Sequence, residues 1–284
     1  MNKNFLILFF AFLTSGLGNA QVNLLNAKSV DQIGEESLQQ LAADNDGPIP
    51  YGYVDDRDVM WSKVVWEFVD LNQKINLPYY FPIDTTNISS SRRSLFDTLL
   101  RGIKQGEIEE AYTDSFFTSK MTQEEIKSRL VNVRTQNGYE DTYRVQSQDI
   151  GGYMLKGMWY FDKRQGEMKY RLLAMAPMGK DVQTIGAEGI EDETLYELFW
   201  IFFPTARETL HDSKVFNPDN ASHPISYDHL LNARRFSSVI VREENIYGNR
   251  AIEEYVRGNS LFQLLEADKI KEDIRNREID MWSY

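Results

Sequence analysis

Apolar side chains recur at three- and four-residue spacing between Trp61 and Ile75, at Trp61, Val64, Val65, Phe68, Leu71 and Ile75. That period places them on one stripe of a helix. Lys63, Glu67, Asp70 and Lys74 fall roughly opposite, and the i,i+4 pairs among them would each add about 0.2–0.5 kcal/mol. Asp55 and Asp56 are candidate N-caps, and Asp58 suits the first turn. Pro78 is expected to end this helix, because the residue before a proline is pushed out of the helical region. Trp66 departs from the stripe: at about 100° per residue it lies roughly 140° from Trp61, at the edge of the polar face. Either a second layer of the fold covers it, as is usual for aromatic residues, or it anchors a partner, since tryptophan is enriched at interface hot spots. The preceding strap, Pro48 to Asp58, carries Tyr51, Tyr53, Asp55 and Arg57. Its prolines lower the ordering cost of a docking segment. The candidate partner-binding residues are therefore Tyr51, Tyr53, Asp55, Arg57 and Trp66.

Further along, Leu95, Leu99, Leu100 and Ile103 share a face and predict a helix over Ser94–Lys104. Glu107–Tyr112 reads as a short helix, and Thr122-Gln-Glu-Glu125 is a capping box opening a helix to about Val131. The middle of the chain changes character. Tyr143–Gln148, Gly152–Phe161 and Glu167–Pro177 read as strands, with Asp162–Gly166 as a hairpin connection. Leu195–Phe203 is apolar enough for a strand at the sheet centre. A short helix at Thr205–Leu210, a helix capped by Ser226, a strand at Phe236–Arg242 and helices at Ala251–Arg257 and Asn259–Asp280 complete the pattern. Helices and strands in separate blocks predict an α+β fold: a mostly antiparallel central sheet with helices packed on it, an N-terminal helical block and a C-terminal helix.

Between Glu266 and Asp280 ten of fifteen residues are charged. Ile270 and Ile274 alone make too narrow a stripe for a core helix. A solvated terminal helix is the plain expectation, and a weak dock on a neighbour the sharper one, because Met281 and Trp282 close the segment with apolar bulk.

The N-terminus has the form of a secretory signal peptide: Lys3, an apolar run from Phe5 to Leu13, and small residues at Gly18 and Ala20. The run is shorter than the roughly 20 apolar residues that a membrane span needs. The expected organisation is residues 1–20 as signal peptide, 21–47 as a flexible leader, and 48–284 as a single α+β domain. Cleavage after Ala20 removes one charge and takes the net charge from −12 to near −13. So acidic a chain argues against nucleic acid as a partner. The absence of cysteine excludes disulfides, thiolate metal sites and N-terminal lipidation on cysteine.

Chemistry is hard to find. His211, His223 and His229 are spaced by twelve and six residues, which no zinc motif uses. Solvated histidines are the plainer reading. Asp55-Asp56-Arg57-Asp58 lacks the alternating ligands and glycine of a calcium loop. No G-x-S-x-G elbow and no glycine-rich phosphate loop occurs. Gly151-Gly152 precedes a strand and reads as a bulge or turn. No catalytic residue, metal or cofactor is expected, and the chain is not expected to be an enzyme.

Several long stretches carry a resemblance. Tyr51-Gly-Tyr-Val-Asp-Asp-Arg-Asp58, Trp61-Ser-Lys-Val-Val-Trp-Glu67 and Asp70-Leu-Asn-Gln-Lys-Ile-Asn76 resemble the gliding-motility N proteins, the GldN/PorN family. So do Asp149-Ile-Gly-Gly152, Tyr160-Phe-Asp162, Arg171-Leu-Leu-Ala-Met-Ala-Pro177, Leu198-Phe-Trp-Ile-Phe-Phe-Pro204 and Asp228-His-Leu-Leu-Asn232. The resemblance implies a periplasmic structural or adaptor subunit of the type IX secretion and gliding machinery. It implies self-association in a ring with an outer-membrane lipoprotein, the gliding-motility K protein, which would hold the chain at the outer membrane. It also implies a link to the periplasmic part of the motor, the M protein, with no membrane span of the chain's own. The competing readings are a periplasmic peptide- or glycan-binding module using Tyr79 and Tyr80, and a hydrolase using carboxylates near His211–His229.

Overall fold

Residues Val59–Asp70 form a twelve-residue strand, β1, where the spacing predicts a helix. The reason is two-sided burial. Val65, Trp66, Glu67 and Val69 are all enclosed, and a strand covered on both faces offers no regular polar alternation to set it apart from a buried helix. What favours the strand is the residue type: Val59, Trp61, Val64, Val65, Trp66, Phe68 and Val69 suit a pleated surface. The expected cap survives in smaller form, since Asp55 caps a single 3-10 turn at Asp56–Asp58 by accepting from the Arg57 N–H. Pro78 does not end a helix. It lies in the first turn of the short helix α1, Leu77–Tyr80, where a missing N–H costs nothing.

The computed structural model describes residues 47–83, 92–136, 139–183, 194–215 and 225–281. The chain divides into two units, Met1–Gly47 with Asn217–Pro224, and Pro48–Phe216 with Ile225–Tyr284. Of the first unit only Gly47 is described, so the expected signal peptide and the body of the leader lie outside the described residues, as do His223 and Trp282.

In the second unit, α1 is followed by α2 (Leu95–Gln105), β2 (Ala111–Tyr112), β3 (Lys120–Met121), α3 (Gln123–Leu130), β4 (Val131–Gln136) and β5 (Tyr139–Arg144). Then come β6 (Ile150–Asp162), β7 (Glu167–Gly179), β8 (Tyr196–Glu197), β9 (Trp200–Phe202), α4 (Phe203–Asp212), β10 (Lys214–Val215) and β11 (Ile225–Ser226). The chain closes with α5 (Tyr227–Asn232), β12 (Val239–Glu243), α6 (Ile252–Tyr255) and α7 (Ser260–Met281). The fold is α+β. Its main sheet runs β12-β1-β6-β7-β9-β2-β3, with β8 beside β7, and its pairings are antiparallel. The pairs β4–β5 and β10–β11 stand as separate two-stranded sheets.

Local signals placed several elements correctly. Ser94 and Ser226 cap α2 and α5, and Thr122 with Glu125 closes the capping box of α3. The β6–β7 hairpin turns through Gly166 at φ 65°, and the register slips between Ile150 and Gly152, a bulge at the glycine pair. Other expectations fail. Glu107–Tyr112 is not a helix, since its end is strand β2. Tyr143–Gln148 is the tail of β5 followed by a 3-10 turn at Ser147–Asp149. Leu195–Phe203 is broken into β8 and β9, and Phe203 already belongs to α4. The N-terminal block is led by a strand rather than a helix.

Strand alternation assigns the layers. Val65 and Glu67 pair with Gly157 and Leu155 on one face, while Trp66 with Lys156 lies on the other. On the first face Leu155, Leu172, Met175 and Ile201 meet Tyr79, Phe96, Leu99, Phe203, Leu210 and Tyr227 from α1, α2, α4 and α5 in one continuous core. Near β12, Ala267, Ile270 and Ile274 of α7 are buried with Val65 and Ile240, and Trp61 and Trp159 pack against them. The terminal helix is therefore docked on the sheet. Its narrow stripe suffices because Ala267 allows close approach and the sheet supplies the aromatic bulk.

A charged pair is built into this layer. Glu67 is 1% exposed and accepts two bonds from Arg234, at 2.8 and 2.9 Å, with further bonds from Tyr170 Oη at 3.1 Å and Ser238 Oγ at 3.2 Å. Arg234 has φ 51°, and its guanidinium lies 4.0 Å from the Tyr170 ring centroid. Gly157 makes room for that tyrosine: a Cβ there would lie 2.1 Å from Tyr170 Oη. Gly157→Ala is expected to destabilise the fold by about 1–3 kcal/mol, read as a lower urea midpoint at unchanged slope.

Candidate partner-binding site

β9 pairs with β7 only at Ala174 and Met175. Among the described residues the other half of β7 has no strand neighbour on that side, and the strap Pro48–Val54 reaches it. Strap, β6–β7 hairpin, α4 and α5 together line a cleft of about 510 Å³. Its geometry rests on three arginines from three elements. Arg207 of α4 donates to the Ile49 carbonyl at 2.6 Å, Arg171 of β7 to Gly52 at 3.2 Å, and Arg164 of the hairpin turn to Tyr53 at 2.6 Å. Each reads backbone, so the strap is held whatever its side chains are.

Of the strap side chains between Pro48 and Val54, Tyr51 enters the network, and further along Asp58 pairs with Arg164 at 2.9 Å. The Tyr51 ring lies between two guanidinium groups, 4.2 Å from Arg207 and 4.5 Å from Arg171, where the electron-rich face meets positive charge. Its hydroxyl donates to Asn232 Oδ1 at 2.8 Å. Asn232 donates in turn to Asp228 Oδ1 at 2.9 Å, and Asp228 accepts both Arg207 bonds, at 2.7 and 3.0 Å. Arg207 returns to the Ile49 carbonyl, so the hydrogen bonds close a circuit that begins and ends on the strap. Asp228 and Arg207 are 3% and 8% exposed. The Asp228 hydrogen bond raises the Arg207 guanidinium above its usual range although burial opposes it. Burial raises the Tyr51 hydroxyl, Arg207 and Arg171 pull the other way, and it stays protonated near neutral pH.

The sequence-predicted residues divide. Tyr51 is half-buried in the cleft, whereas Tyr53, also part of its lining, is 79% exposed. Asp55 and Arg57 form a surface ion pair at 3.0 Å, and its hydrogen bond lowers the Asp55 carboxyl. Trp66 is not with them. It is 3% exposed on the other face of the sheet, donates to Ser115 Oγ at 2.9 Å and packs beside Ala174, Ala176 and Trp200. Phe116 and the Lys156 ammonium also lie against its ring. The covering-layer reading holds, and Trp66 offers no contact surface in this fold. Tyr79, suggested as a ligand platform, is 1% exposed and equally withdrawn.

Sequence reasoning did not assign Arg164, Arg171, Arg207 or Asn232 a role in a site. One local signal was there: Asp228 and Asn232 stand i,i+4 on α5, a spacing that brings two polar groups together on one helix face. His211 and His229 line the same cleft. Among the described residues no group of three or more His, Cys, Asp or Glu could hold a metal ion.

A family model described as gliding motility associated protein GldN matches residues 54–283. That range holds all three arginines, Asp228 and Asn232 and begins at the end of the strap. No curated protein matches the chain.

Proposed function

The chain belongs to the GldN family of gliding motility associated proteins, and from that premise we propose that it is a periplasmic structural and adaptor subunit of the type IX secretion and gliding machinery rather than an enzyme. It associates with itself in a ring together with a K-type outer-membrane lipoprotein, which holds it at the outer membrane, and it contacts an M-type periplasmic motor protein. Among the described residues no helix is long and apolar enough to cross a membrane, which is consistent with a place at the membrane held through a partner.

The observation that carries the reading is the direction of the cleft's donors. Arg164, Arg171 and Arg207 all bond the chain's own strap. The cleft thereby fixes a peptide segment and holds Ile49 and Tyr53, 71% and 79% exposed, on a restrained backbone. A pre-ordered segment with an exposed aromatic is what a docking surface requires, because the ordering cost is met before the partner arrives. Tyr53→Ala is expected to fold as the wild type and to bind the lipoprotein at least about fivefold more weakly, the effect of losing an interface hot spot. Circular dichroism and a titration against the purified lipoprotein check both halves.

The direct test in cells is deletion of the gene. Secretion of proteins bearing the type IX C-terminal signal is expected to stop, while export across the inner membrane continues. Normal amounts of such proteins in the medium of a clean deletion, with no second copy of the gene, would contradict the proposal.

A further inference from the structure

Two surfaces away from the strap cleft complement each other. The first is a groove of about 430 Å³ between α2, α3 and the β4–β5 pair. Leu100, Ile103, Ile126 and Leu130 give it an apolar lining. Lys104, Lys127 and Arg144 stand at its rim with Glu124 beside them. Among the described residues none of the three cations has a carboxylate within ion-pair distance. On a chain of net charge −12 this is a local reversal of sign. Unpaired cations around an apolar lining fit a segment that is both apolar and acidic.

The second surface is the outer side of α7. Ala267, Ile270 and Ile274 fix which side of the helix is buried. At about 100° per residue, Leu261, Leu265 and Glu272 fall on the opposite side, flanked by Asp268 and Lys269, and Glu272 makes a surface ion pair with Arg275 at 3.5 Å. Leu261 and Leu265 are 61% and 54% exposed, and Phe262 beside them is 57% exposed. Apolar side chains of this size grouped on one exposed face, with Asp268, Lys269 and Glu272 continuing the row, mark an interaction surface more often than plain solvated helix.

We propose that the outer face of α7 in one copy docks into the α2–α3 groove of the next copy. This deepens the self-association in the proposed function and rests on that reading. Groove and helix face are different parts of the molecule, so the contact is heterologous. Each docked copy keeps one free groove and one free helix face, and repetition closes into a ring when the rotation permits or runs on as a filament when it does not. A self-complementary patch would stop at a dimer. Leu261, Phe262 and Leu265 supply the apolar contact. Asp268 and Glu272 pair with the rim cations, so association weakens as salt screens them.

The test uses the full mature chain, which has no cysteine of its own. Leu265→Cys combined with Lys127→Cys, treated with a short bismaleimide, is expected to give a ladder of covalent oligomers, and each single variant at most a dimer. Reversing the rim (Lys104→Glu with Lys127→Glu) or the face (Asp268→Lys with Glu272→Lys) is expected to weaken association about tenfold or more by sedimentation. These side chains lie on the surface, so circular dichroism should match the wild type. All four changes together should recover much of the association. Oligomers that form normally in both reversed variants, with no ladder from the double-cysteine chain, would overturn the docking proposal and leave self-association standing. A wild-type chain that stays monomeric at every concentration, alone and with the lipoprotein, would overturn self-association itself.

Discussion

Glu67→Ala is expected to remove about 3–5 kcal/mol of stability, because it leaves the Arg234 guanidinium buried without its carboxylate. Glu67 is 1% exposed and its carboxylate accepts four bonds, from Arg234 twice and from Tyr170 and Ser238. Burial disfavours the charged Arg234, and the Glu67 hydrogen bond and charge restore it above its usual range. A loss of this size is a large part of the roughly 5–15 kcal/mol that a domain possesses. Replacing both partners by apolar residues, Glu67→Leu with Arg234→Met, is expected to cost much less than the single change, since no charge is then stranded. Urea midpoints of the single and double variants check this. A double variant less stable than Glu67→Ala would show that the pair contributes net stability beyond mutual neutralisation.

Asp228→Ala is expected to have an effect of similar size, with an added consequence for the strap. It strands Arg207, 8% exposed, and removes one of the two acceptors of Asn232, which holds the Tyr51 hydroxyl and keeps only its bond to the Asp228 carbonyl. A cost of about 3–5 kcal/mol corresponds to a fall in melting temperature of roughly 6–20 °C for a domain of this size. Amide exchange at Tyr51 to Val54 should accelerate beyond the rise in the central strands, because the strap loses part of its tether, at Arg207 and Tyr51, while the sheet keeps its ladder. Tyr53→Ala should do neither, since the Tyr53 side chain is exposed and the strap is held there by its carbonyl.

What the sequence made legible is local. Ser94, Thr122 with Glu125, and Ser226 were read correctly as caps because a cap depends on three or four consecutive residues. The β6–β7 hairpin was legible because its turn sits between two runs of β-forming residues. β1 was not, because its edges are paired by β6 and β12, more than 80 residues away in the chain, and its faces are covered by segments such as Ser115–Phe116 and α7 that no local pattern reveals. Its apolar residues lie on both sides of a sheet and mimic helical spacing by coincidence. The candidate site divides along the same line. Tyr51 and Tyr53 were visible as aromatics on a proline-stiffened strap. Arg164, Arg171 and Arg207 were not, since nothing local tells an arginine that reads a distant carbonyl from one in solvent. Trp66 was placed on a helix that does not form, but of its two readings the first, that another layer of the fold covers it, agrees with its 3% exposure.

The proposed role is that of a subunit that works by assembly. The most direct test is isolation of the tagged chain from native envelopes, with the molar ratio of co-purified outer-membrane lipoprotein measured for the wild type and for Tyr53→Ala. The expected result is a fixed, near-stoichiometric ratio for the wild type that falls at least about fivefold in the variant. A wild-type chain recovered free of lipoprotein, as a monomer, would contradict it.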